Sequence, residues 1–64
     1  MRMKEARLNA GLTLAQLAAE VGVSAAAIQR YENGLRTPRI GIAKKIGAVL
    51  GVPWYELVDN KKVK

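Results

Sequence analysis

Apolar side chains recur along this chain with a helical period and stop at glycines. Leu14, Leu17, Ala18 and Val21 stand at i, i+3, i+4 and i+7, which places them on one stripe of a 3.6-residue helix. The spacing predicts a helix over about residues 14–21. Upstream, Met3 and Ala6, extended by Ala10, share one face of a helix over about 2–9, with Arg2, Lys4 and Glu5 left to solvent. A third helix over about 25–33 turns Ile28 and Tyr31 inward; it leaves Ala25, Ala26, Gln29 and Arg30 outside, and Ala27 fits either side. Ile40, Ala43, Ile46, Gly47 and Leu50 form the inner stripe of a fourth helix, and Trp54, Leu57 and Val58 close the core in a final turn. Gly11, Gly22, Gly34 and Gly51 each follow a helix-compatible segment, as helix-ending glycines do. The expected class is all-α.

The residues between these stripes supply the caps. Thr13 followed three residues later by Gln16 fits a capping box, in which each side chain satisfies the other's backbone amide. Gly22, Val23 and Ser24 leave only a short turn, with Ser24 a strong N-cap for the third helix. Asn33-Gly34 is that helix's stop signal. At the fourth helix Arg39 occupies the cap position, with Thr37 and Pro38 as an alternative start. Gly41 and Gly47 weaken this helix, so packing must compensate, and Gly47 permits a close approach. Helices two and three with their short turn have the form of a helix-turn-helix. A second helix of such length fits a DNA major groove about 12 Å wide.

Composition narrows the partner. The chain has 64 residues, enough for one small domain, and 11 Lys and Arg against five acids give a formal charge of +6. That balance points to a polyanion. With no cysteine and no histidine, disulfides, Cys/His zinc sites, Cys or His nucleophile pairs and haem ligation are excluded. The five acids are dispersed without a metal-ligand pattern and the glycines lie at helix ends rather than in a nucleotide loop, so no catalysis, cofactor or small-molecule substrate is expected. Aromatics are limited to Tyr31, Trp54 and Tyr55, too few for a stacking platform on single strands. No apolar run approaches a membrane span and no secretory signal opens the chain, so the expected compartment is the cytoplasm. Residues 59–64 read as a polar basic tail whose Lys61, Lys62 and Lys64 are solvated.

In order from residue 3 to 58, the chain resembles the lambda/434 repressor and Cro family of helix-turn-helix domains, the XRE type. The resemblance runs through Met3 and Arg7, Gly11-Leu12-Thr13, Leu17-Ala18, Gly22-Val23-Ser24, Ile28 and Glu32-Asn33-Gly34. It continues with Arg36, Pro38, Ile40, Ile46, Leu50-Gly51-Val52 and Glu56-Leu57. It implies a compact domain of five helices over residues 1–58 that binds double-stranded DNA at a palindromic operator as a homodimer and represses transcription. Base reading falls by resemblance on Ala25, Ala26, Gln29 and Arg30. Phosphate contacts fall on Thr13, Gln16, Arg36 and Arg39, although Gln16 also has its capping role and Lys44 and Lys45 read equally as solvated charges. Arg7 and Glu32 match a structural ion pair, with Arg7 expected near a phosphate as well. Val49, Val52, Pro53, Trp54 and Tyr55 lie where relatives pair, Trp54 serving alternatively as a core plug. The chain departs from the family where Leu14 stands in place of a common Gln after the Thr cap. The alanine-rich third helix also supports a second reading, a protein-interaction module such as a dimerising antagonist or antitoxin with weak DNA binding.

Overall fold

The computed structural model describes residues 3–58 and contains five helices: α1 (Met3–Asn9), α2 (Leu14–Val21), α3 (Ala25–Glu32), α4 (Ile40–Leu50) and α5 (Tyr55–Val58). Arg2 and the tail expected over 59–64 lie outside the described residues. Each helix is too short to be stable alone in water, so the apolar faces must hold one another. α2 packs against both α3 and α4, α1 rests on α3, and α5 closes against α4. The buried set is Met3, Leu17, Ala18, Val21, Ile28, Tyr31, Ala43, Ile46 and Leu57, drawn from all five helices. Leu14, Val49, Leu50, Trp54 and Val58 pack half-buried around it.

Two expected core positions fall outside. Ile40 is 55% exposed, because it is the first residue of α4 and stands a turn beyond Ala43, where α4 first becomes buried. Ile42 packs against the core instead. Ala10 follows the end of α1 in an exposed turn. The alternative start of the fourth helix at Thr37 and Pro38 is not adopted: Arg39 is the N-cap, extended at φ −64° and ψ 159°, and makes no side-chain cap hydrogen bond. Pro38 is buried.

Gly47 is where α4 meets the turn that leads into α5. A Cβ there would lie 2.7 Å from the Val52 carbonyl oxygen and 3.2 Å from the Trp54 backbone nitrogen. Both are main-chain atoms that cannot swing aside as a side-chain tip would. We expect Gly47→Ala to lower stability, because overpacking of this kind costs about 1–3 kcal/mol and outweighs the helix-propensity gain of about 1 kcal/mol. Gly41→Ala, whose Cβ would meet nothing within 4 Å, should instead raise it. Thermal unfolding followed by circular dichroism separates the two; equal midpoints would disprove the close approach.

Candidate nucleic-acid interface

The segment from Thr13 to Asn33 is held by local bonds at each bend. The Thr13 hydroxyl oxygen accepts from the Gln16 backbone N–H at 3.0 Å and the Gln16 Oε1 accepts from the Thr13 N–H at 2.9 Å, completing the capping box. At the far end of α2, Gly22 takes the left-handed conformation at φ 88°, which glycine adopts without a Cβ penalty. Its N–H donates to Ala18 O at 2.7 Å, and that of Val23 donates to the same oxygen at 3.1 Å. Ser24 then caps α3, its Oγ accepting from the Ala27 N–H at 3.0 Å. The chain reverses between two well-terminated helices, so the orientation of α3 on α2 is fixed by backbone chemistry as well as by Leu17, Val21 and Ile28.

On α3, Ala26, Gln29 and Arg30 are exposed. The helix has eight residues, a length of about 12 Å, and these three side chains occupy one outward stripe. Ala25 is half-buried and packs against the core, as does Ala27. Ala25 is therefore less outward than its expected base-reading place, and Ala27, which fitted either side, turns inward. The outward stripe offers a methyl group, an amide and a guanidinium, a set suited to a thymine methyl, adenine and guanine edges respectively.

The four residues expected as phosphate contacts besides Arg7 all lie on the surface. Thr13 and Gln16 are exposed at the start of α2, and Arg36 and Arg39 are exposed in the loop before α4. The two readings of Gln16 are compatible: the cap uses Oε1, and the Nε2 donors suit an anion. Between Arg30 and Lys45 the chain carries five exposed cations, Arg30, Arg36, Arg39, Lys44 and Lys45, while its one acid, Glu32, is engaged by Arg7. This leaves the end of α3 and the start of α4 a strongly positive stretch.

Arg7 and Glu32 form the expected pair. Nε of Arg7 donates to Oε2 of Glu32 at 2.6 Å and Nη2 donates to Oε1 at 3.3 Å, a two-point grip joining α1 to the end of α3. The third guanidinium nitrogen, Nη1, donates to the Leu12 carbonyl at 2.9 Å. The side chains are only 8% and 4% exposed, and three of the five guanidinium N–H donors are engaged within the fold. The bond to Leu12 was not anticipated, since a backbone acceptor leaves no mark in residue type. By reaching the residue before Thr13, Arg7 braces the cap of α2 as well as α3.

Of the residues expected to pair, Val49, Val52 and Trp54 are half-buried against the core, while Pro53 and Tyr55 are exposed, Tyr55 at 59%. The Trp54 and Tyr55 rings meet edge-on with centroids 6.0 Å apart, and the Lys44 Nζ lies 5.4 Å from the Trp54 ring centroid. Trp54 therefore plugs the core and also shows surface. Alongside, a groove between α1 and α5 is lined by Met3, Glu5, Ala6, Asn9, Val52, Glu56 and Leu57. Among the described residues no group of three or more His, Cys, Asp or Glu is gathered as a metal site, and no helix is long and apolar enough to cross a membrane.

A family model described as Helix-turn-helix matches residues 3–57. The chain is 43% identical over 58 residues to the uncharacterized HTH-type transcriptional regulator RghRB of Bacillus subtilis, an alignment covering 89% of this chain and 42% of that protein. It is 36% identical over 61 residues to the HTH-type transcriptional regulator SinR of the same organism, covering 94% of this chain and 55% of SinR. Identity to the uncharacterized HTH-type transcriptional regulator YqaF, also of Bacillus subtilis, is 36% over 62 residues, covering 92% of this chain and 82% of YqaF. The chain thus spans less than half the length of RghRB and about half that of SinR. No solved structure matches the chain significantly.

Proposed function

Since this chain belongs to the helix-turn-helix family, whose members among its relatives are HTH-type transcriptional regulators, we propose that it is a Cro-like, sequence-specific duplex DNA-binding repressor. The observation that carries this reading is the outward stripe of Ala26, Gln29 and Arg30 on a capped α3, flanked by the exposed cations of the following loop. α3 enters the major groove. Arg30 grips a guanine, Gln29 an adenine, and the Ala26 methyl, with Ala25 at the margin, packs on a thymine methyl. Thr13, Gln16 and the α2 amides meet one phosphate run, and Arg36 and Arg39 clamp another. Two copies pair through Val49, Val52, Pro53, Trp54 and Tyr55, placing their α3 helices on half-sites one DNA turn apart. Occupation of such a palindromic operator blocks transcription.

Selection from random duplex DNA followed by binding titrations at two salt concentrations tests the reading. A palindromic site should emerge, and affinity should fall steeply as salt rises. Arg36→Gln should weaken all sequences alike and reduce the salt slope by about one for each copy bound. A preference that shifts to a new site would instead make Arg36 a base reader. The inward packing of Ala25 and the apolar Ala26 favour a second reading, a protein-interaction module. It predicts no enriched site and little salt dependence.

A further inference from the structure

The surface proposed for pairing carries a cation on its largest side chain. Lys44, exposed on α4, places Nζ 5.4 Å from the Trp54 ring centroid, while Tyr55 approaches the same ring edge-on. The ring is half-buried against the core and Lys44 is exposed, so a partner that covers Trp54 has an ammonium beside it to accommodate. Val49, Val52, Pro53 and Tyr55 are the other residues of the proposed pairing surface. The charged groups nearby in the chain are Lys45, exposed next to Lys44, and Glu56, which lines the groove beside Glu5. In a two-fold contact a surface meets itself, so whatever one copy brings the other brings too. Pairing across Trp54 therefore sets the lysines of both copies near one apolar seam. It requires each Lys44 ammonium, a compact and strongly hydrated charge, to shed water or to leave the ring that attracts it.

We infer that Lys44 restrains pairing of this chain with a second copy, by capping Trp54 and by setting like charges on both sides of the seam. The inference rests on the proposal that pairing uses this surface. It gives salt opposite effects on the two associations: screening strengthens pairing and weakens the grip on phosphates. It also makes Lys44 a brake, released by loss of its charge.

Sedimentation equilibrium at low and high salt tests this with the unchanged protein, Lys44→Gln, Lys4→Gln, Trp54→Ala and Tyr55→Ala. Lys4 is an exposed lysine of α1, so Lys4→Gln reports the effect of net charge alone. Trp54 is the only tryptophan in the chain, and its fluorescence provides a second readout of ring burial. Lys44→Gln should pair about three- to tenfold more tightly than the unchanged protein at low salt, the gap narrowing as salt rises, whereas Lys4→Gln should pair as the unchanged protein does. A Lys44→Gln protein that pairs equally or more weakly, or a Lys4→Gln protein that gains as much, overturns the restraint. If Tyr55→Ala, or Trp54→Ala with its helical content intact, pairs undiminished, the pairing surface itself is misplaced. Loss of pairing in those variants without a gain in Lys44→Gln overturns the Lys44 inference alone. Monomers throughout overturn both.

Discussion

Arg7→Ala is expected to remove about 3–5 kcal/mol of stability, roughly half of what holds the chain folded. The guanidinium holds both carboxylate oxygens of Glu32 and the Leu12 carbonyl at once, and the two side chains are almost wholly out of water. Removing Arg7 strands the Glu32 carboxylate, and breaking a buried pair in this way costs about 3–5 kcal/mol. A domain of this length has only roughly 3–10 kcal/mol in total, so one substitution consumes a large share of it. The loss should appear in urea unfolding as a lower midpoint with little change in slope. Glu32→Leu in the Arg7→Met background should restore much of the stability, because an apolar pair replaces the buried ions without leaving a lone charge. The Leu12 carbonyl would still lack its donor, so the recovery should be incomplete. If Arg7→Ala alone shifts the midpoint no more than a surface substitution does, the pair is not the brace described here.

The dependence on Arg7 shows which parts of the molecule were legible in residue order. Helix positions were, because a stripe such as Leu14, Leu17, Ala18 and Val21 has one geometric solution and the caps Thr13, Gly22 and Ser24 agree with it. The Arg7–Glu32 pair was legible only through family resemblance, since 25 residues separate the partners. Its third bond was hidden, because any residue can offer a carbonyl. Ile40 shows a different limit: a period specifies the angle at which a side chain leaves the helix, but not whether a neighbour waits there. At the first turn of α4 no core residue does, and the side chain is exposed. Ala25 shows the same limit from the other side, since a position at the start of α3 reads as outward while its methyl is half-buried against the core. The cation over Trp54 was also invisible, as Lys44 lies on α4 and Trp54 in the following turn that Gly47 admits.

Arg30→Ala should remove most of the sequence preference while leaving the fold intact. Arg30 lies in the last turn of α3 with an exposed side chain, and its carbonyl accepts from the Leu35 N–H at 2.9 Å, so the backbone that aims it is fixed from both sides. Of the outward stripe it alone can make a charged two-point contact, the arrangement that suits O6 and N7 of guanine. One such contact discriminates by about 1–3 kcal/mol, so two copies on a palindrome reach about 2–6 kcal/mol, a factor between roughly 30 and 10⁴. Alanine also deletes a positive charge, and some loss on every sequence must follow from that alone. Arg30→Lys separates the contributions, since it keeps the charge and loses the planar fork. The lysine variant should retain the salt slope and yet tolerate other bases at one position in each half-site; the alanine variant should lose the preference and show a somewhat shallower slope. A lysine variant that keeps the full preference, or an alanine variant weakened equally on all sequences, would move Arg30 from base edge to phosphate and leave Gln29 as the one polar reader on α3.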